Sequence, residues 1–119
     1  MKENNVIQKK SYEFAKDVVL LCNRYFEGKK ERSLFRQLLR SATSIGANIE
    51  EAIGAQSSKD FYSKLYIAYK EARETHYWLR LCQVTGIVSE SRVNDMIRES
   101  NEIVSILTAI VKKSKLKKD

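Results

Sequence analysis

Arg40-Ser41-Ala42-Thr43-Ser44-Ile45-Gly46-Ala47-Asn48-Ile49-Glu50-Glu51 has the rhythm of a helix, yet it puts small residues where an isolated helix would carry bulk. Leu34, Leu38, Ala42, Ile45 and Ile49 recur on one helical face, and Phe35, Leu39, Gly46 and Ile53 form a second apolar stripe beside it. The combined arc is wider than one neighbouring helix covers, so the segment predicts a close-packed helix with several partners.

Outward from this segment, the same periodicity marks three more helices. Before it, Phe14, Val18, Leu21 and Tyr25 recur at steps of four and three, flanked by Ala15, Val19, Cys22 and Phe26, which predicts a helix from about Ile7 to Phe26. Residues 27 to 32 form the connection, with Gly28 as a helix stop and Ser33 as the N-cap of the second helix. Gly54 is placed to end that helix in the left-handed conformation, and Ser57 with Asp60 approximates a capping box for a third helix over residues 58 to 85. Its stripe is Phe61, Leu65, Ala68, Ala72, Thr75, Leu79 and Cys82; Gly86 ends it, and Ser89 caps a fourth helix along Val93, Ile97, Ser100, Val104, Leu107 and Val111. The pattern fades at Lys112. The chain of 119 residues has no proline and only four glycines, so long helices can run unbroken. Short links between them force neighbours antiparallel. The expected fold is all-α, a single domain over residues 1–119 built as an antiparallel, up-down-up-down, left-handed four-helix bundle, with a flexible basic tail at about 112–119.

The third helix carries apolar residues beyond its core stripe. Ile67, Trp78 and Leu81 fall on one flank; Tyr62, Tyr66, Tyr69 and Tyr77 fall on the other, interleaved with Arg73, His76 and Arg80. A helix in a monomeric bundle keeps one side polar, so this surplus predicts self-association through Phe35, Leu39, Gly46, Tyr62, Tyr66, Tyr69 and Tyr77. Interleaved tyrosine and arginine is also the composition of a base-stacking and phosphate-binding surface, but subunit interfaces are enriched in the same residues, and the interface reading is favoured.

The formal net charge is +7, and Lys112, Lys113, Lys115, Lys117 and Lys118 against Asp119 supply more than half of it. The rest of the chain is therefore close to an ordinary soluble balance, and the lysine tail reads equally as an electrostatic arm or as a disordered, solubilising end. Arg36 and Arg40, one turn apart on the second helix, join Arg73, Arg80 and the tail lysines as candidate nucleic-acid contacts.

Several chemistries are excluded. No apolar run approaches the roughly 18 residues of a membrane span, and the first residues lack the apolar core of a signal peptide, which predicts a cytoplasmic protein with no membrane partner. Cys22 and Cys82 are too far apart for a C-x-x-C signature and read as small core hydrophobes. A ferritin-like di-iron centre needs Glu-x-x-His on two helices, whereas the single histidine, His76, follows Arg73 at that spacing. Glu51 and Glu74, with Ser41, Ser44 and Asn48 nearby, suit a polar network at the bundle edge. No nucleophile motif or Gly-rich phosphate loop occurs. The expectation is a non-catalytic protein with no metal and no cofactor.

The segment from Arg40 to Glu51, followed by Ser57-Ser58-Lys59-Asp60-Phe61 and Leu65-Tyr66-Ile67-Ala68-Tyr69, resembles the bacterial four-helix-bundle proteins encoded in intervening sequences of large-subunit ribosomal RNA genes. The resemblance spans nearly the whole chain. Asn48, Ile49 and Glu51 match the family's second-helix pattern, but Ala52 replaces a glycine; Glu74 matches in the third helix, where Lys70 and Glu71 replace a Gly-Ser pair. The family has no established enzymatic reaction and is known for five-fold rings, so the resemblance implies a homopentamer. Its relatives among retroelement accessory variability proteins bind nucleic acid and a reverse transcriptase through a basic ring surface. The expected function is a ring-forming bundle that binds structured RNA or a ribonucleoprotein, linked to intervening sequences in ribosomal RNA genes. An oligomeric protein-interaction scaffold with no nucleic-acid role is the alternative.

Overall fold

The computed structural model describes the backbone of residues 2–27 and 32–117 and the side chains of 5–25 and 33–113. Four helices, α1 (Lys2–Glu27), α2 (Arg32–Ile53), α3 (Ser58–Thr85) and α4 (Glu90–Lys117), account for almost all of it. The predicted link at Gly28 and the side chains of Phe26, Lys115, Lys117 and Lys118 lie outside the described residues. Cross-helix contacts fix the directions. Gln8 meets Glu50 while Cys22 meets Phe35, so α1 and α2 run antiparallel. Thr75 meets Ser41 while Lys64 meets Glu51, and His76 meets Ser100 while Gln83 meets Asn94, which reverses α3 against α2 and α4 against α3. Each helix touches two neighbours, α1 and α4 closing the square with the sparsest contact of the four.

The core follows the heptad stripes. Phe14, Val18 and Leu21 of α1, Leu38, Ala42, Ile45 and Ile49 of α2, and Leu65, Ala68, Ala72, Thr75, Leu79 and Cys82 of α3 are all buried. Phe61, at the start of that predicted stripe, is half-buried. On α4 the stripe differs from the expected one: Val93, Met96, Ser100, Ile103, Leu107 and Ile110 are buried, while Ile97, Val104 and Val111 are half-buried beside them. Both sets are apolar and both fit a heptad, so periodicity alone could not choose between them. The buried hydroxyls are satisfied. Thr75 Oγ1 lies 2.9 Å from Ser41 Oγ and 2.8 Å from the Glu71 carbonyl, and no buried side-chain nitrogen or oxygen among the described residues lacks a hydrogen bond.

The helix ends follow local chemistry with two corrections. Ser57 sits at φ −149° and ψ 163° and accepts a hydrogen bond from the Asp60 amide at 3.1 Å, capping α3; Gly86 ends that helix at φ 69°, in the left-handed region that favours glycine. Gly54 does not take the left-handed conformation expected of it. Its amide and that of Ala55 instead bond back to Glu50 and Ala52, so the chain leaves α2 with a right-handed turn. Ser33 lies inside the first turn of α2, which begins at Arg32. At the other end of the molecule α4 continues through Lys117, so the backbone of the basic segment is helical well beyond the point where the apolar spacing stops.

Candidate nucleic-acid interface

Two groups of expected interface residues part company in the structure. The second stripe of α2 is covered by α1 at Phe35, Leu39 and Gly46, while Ile53 at its end stays exposed. Phe35 is fully buried and stacks on Tyr25 with ring centroids 4.8 Å apart; a Cβ on Gly46 would lie 3.7 Å from both the carbonyl oxygen and the Oγ of Ser11; Leu39 is half-buried against the core. Phe35 is thus corrected from a subunit contact to a core residue, and Gly46 marks a close crossing of α1 on α2. The wide arc on α2 has its explanation in two neighbours of the same chain, α1 and α3.

The tyrosines of α3 remain outside. Tyr66 and Tyr77 are about half exposed, at 50% and 47%, while Tyr62 and Tyr69 are half-buried against the core. Heptad geometry divides the polar residues of α3 between two flanks. Glu71 and Glu74 turn toward α2, where Arg40 bonds Glu71 at 3.2 Å and also pairs with Glu74, which accepts from Trp78 Nε1 at 3.2 Å. Arg73, His76 and Arg80 turn toward α4. Arg73 donates to the Tyr69 hydroxyl at 3.2 Å and lies over that ring, 5.8 Å from its centroid; Arg80 lies over Tyr77 at the same distance. The cation–π contact places each guanidinium over an aromatic ring, and the N–H groups that are not bonded to Tyr69 remain available. Neither arginine forms an ion pair among the described residues. Across the seam, Asn94 accepts from Gln83 and Ser100 meets His76, so the α4 residues that bond to α3 here are uncharged. Burial, and then the nearby Arg80 charge, hold the His76 imidazole below its ordinary value, which favours its neutral form.

The remaining predicted contacts scatter. Arg36 is exposed on α2, but Arg40 is drawn into the α2–α3 seam and its charge is met by two carboxylates, which sequence spacing could not reveal. Lys112 and Lys113 are exposed at the far end of α4. Exposed apolar residues also occur where the sequence reading did not look: Tyr12 (69%), Leu20 (60%) and Val19 on α1. Val19 was visible as a flank residue, but which flank faced solvent depended on where α2 and α4 sit.

On its other side α4 meets α1 in a cleft of about 530 Å³, lined by Glu13, Asp17, Glu99 and Glu102 together with Lys9 and Lys10 over Phe14 and Ile103. Lys10 bonds Glu102 at 2.8 Å and Lys16 bonds Glu13 at 2.7 Å. Burial and the charges of Asp17, Asp95 and Glu102 raise the Glu99 carboxyl above its ordinary value, against a smaller opposing effect of Arg98. Cys22 and Cys82 are buried free thiols pushed up to about 12 and about 11, chiefly by desolvation, which suppresses the thiolate. Among the described residues, no three His, Cys, Asp or Glu converge to hold a metal, and no helix is long and apolar enough to cross a membrane.

Comparison with known proteins agrees with this architecture. The model of the 23S rRNA-intervening sequence protein family matches residues 3–109. A crystal structure of a protein of unknown function from the S23 ribosomal protein family of Bacteroides thetaiotaomicron superposes with a TM-score of 0.87 at 44% sequence identity, over 92% of this chain and 98% of that one. No curated protein matches.

Proposed function

The chain belongs to the 23S rRNA-intervening sequence protein family, and from that premise we propose that it is a non-catalytic, ring-forming bundle that binds structured RNA, alone or within a ribonucleoprotein. The observation that carries the reading is the α3 face on which Tyr66 and Tyr77 stand half exposed while Arg73 and Arg80 lie over tyrosine rings without carboxylate partners among the described residues. Aromatic faces accept unpaired bases and guanidinium groups accept phosphates; structured RNA offers both in its loops. Glu71 and Glu74 of the same helix turn away to Arg40, which keeps their charge off this face. A ring of copies, five as in the relatives this chain resembles, would repeat the face and turn weak contacts into avidity. Exposed Tyr12, Val19 and Leu20 supply apolar surface for contact between copies.

Titration of a fluorescent RNA hairpin tests the reading. Affinity falls steeply between about 50 and 200 mM salt if phosphate contacts dominate, and removal of residues 112 to 119 flattens that slope. Light scattering on the same sample reports the ring. Absence of binding at low salt by an intact oligomer would favour a protein-interaction scaffold, the reading for which the exposed apolar side of α1 speaks.

A further inference from the structure

The tyrosine and arginine face is rich in donors, and one atom on it has the opposite character. His76 Nδ1 lies 3.3 Å from Ser100 Oγ, and Ser100 Oγ lies 2.9 Å from the Ile97 carbonyl. A serine hydroxyl has one proton, and a carbonyl oxygen can only accept. If Ser100 gives that proton to Ile97, the nearer acceptor, it has only lone pairs to offer His76, and His76 donates from Nδ1. In the neutral imidazole the other nitrogen, Nε2, is then a bare acceptor. Nε2 has no hydrogen-bond partner among the described residues, and since no unpartnered side-chain nitrogen there is buried, it reaches solvent. It does so on the flank of α3 that carries Tyr69, Arg73, Tyr77 and Arg80.

Arginine has donors only, and a phosphate has no donor for Nε2 to use. An acceptor on the same flank as two guanidinium groups therefore suits a neutral donor on a nucleotide. We propose that His76 Nε2 accepts a hydrogen bond from an O–H or N–H group of an unpaired nucleotide stacked on this face, either a ribose 2′-hydroxyl or a base amino group, with Ser100 as the positioning residue that fixes the tautomer. The assignment rests on the RNA-binding reading and adds discrimination to it. Arg73, Arg80 and the tyrosines supply affinity that is blind to sugar and base; His76 supplies the one contact that a 2′-deoxy sugar or a base without an amino group cannot make.

Three hairpins that differ only in the loop provide the test: adenosine, 2′-deoxyadenosine and purine riboside, which lacks the amino group. The full-length protein should bind the adenosine loop about two- to tenfold more tightly than one of the other two, the range set by one neutral hydrogen bond. A loss with deoxyadenosine identifies the 2′-hydroxyl as donor; a loss with purine riboside identifies the base. His76→Phe keeps an aromatic ring and should erase that preference, so that the variant binds all three hairpins with equal affinity. Ser100→Ala should weaken the preference by releasing the tautomer. Nitrogen chemical shifts of His76 in the free protein give a separate readout, with the proton on Nδ1. A proton on Nε2, equal affinity for all three hairpins, or a preference that survives His76→Phe overturns the assignment. Equal, salt-sensitive binding of the three leaves the RNA reading standing, whereas failure to bind any of them removes both.

Discussion

Helix α4 is flanked by two seams built on the same heptad pattern, and they differ in what surrounds the apolar centre. Toward α3 the surroundings are aromatic and cationic, with Arg73 and Arg80 laid over tyrosine rings and uncharged Asn94 and Ser100 across from them. Toward α1 carboxylates predominate, with Glu13, Asp17, Glu99 and Glu102 lining a cleft that also holds Lys9 and Lys10, of which Lys10 is paired with Glu102. Packing tolerates either arrangement, because positions beside the core stripe keep contact with water. The proposed function does not, since the first sets unpaired cations beside stacking surfaces whereas the second is dominated by carboxylates that repel a polyanion.

The largest effect expected from this contrast is on RNA affinity. Reversing both arginines, Arg73→Glu with Arg80→Glu, should weaken hairpin binding by about 100-fold at low salt, since each charged hydrogen bond is worth about tenfold or more. Neutralising the other seam with Asp17→Asn and Glu13→Gln should leave binding unchanged or slightly stronger. Anisotropy titrations of the two double variants decide the matter; equal losses would mean that the seams do not differ in function.

A smaller effect separates the stability of a dry crossing from that of the wet seams. At the α1–α2 crossing Gly46→Leu should destabilise the fold by about 1–3 kcal/mol, because the new side chain must displace Ser11, whereas the exposed change Lys59→Ala stays within about 0.5 kcal/mol. Gly46→Ala should be tolerated, as its Cβ meets Ser11 only at ordinary contact distance. Denaturant midpoints measure all three, and a Gly46→Leu variant as stable as the parent would show that α1 yields freely at this crossing.

The smallest expected effect lies in the acidic seam. A carboxyl whose value is raised on folding costs stability once it ionises: the cost is absent below the ordinary value of 4.5 and grows as pH rises through the raised one. Glu99→Gln removes that cost. Its melting midpoint should exceed the parent's at pH 7 by no more than about 0.5 kcal/mol in stability, given solvent screening, and the two should converge near pH 4. A variant less stable than the parent at pH 7 would mean that Glu99 gains more from Arg98 than it loses to Asp17, Asp95 and Glu102.

The helices themselves were legible because their signals are local. Steps of three and four marked each apolar face, Ser57 with Asp60 marked a start, and Gly86 marked a stop, each acting within a turn or two of chain. Family membership was legible for a related reason, since Asn48, Ile49, Glu51 and Glu74 stand at fixed positions along those helices. The candidate site was legible only in part. Tyr66, Arg73, Tyr77 and Arg80 were picked out as one flank of a helix, but Arg40 gave no sign of the two carboxylates that meet it, and His76 gave no sign of Ser100.

What the sequence determined alone, then, was four helices with apolar faces and an aromatic, basic flank on the third. The tertiary structure decided which face met which neighbour. Phe35 and Gly46 looked like spare surface until α1 covered them, Tyr12 and Leu20 became surface because nothing covered them, and α4 turned Ile103 rather than Val104 inward. The physical reason is that periodicity fixes a residue's angle around its own helix axis, while burial and charge pairing depend on the rotation of that axis against others. That rotation is set by all four helices packing at once.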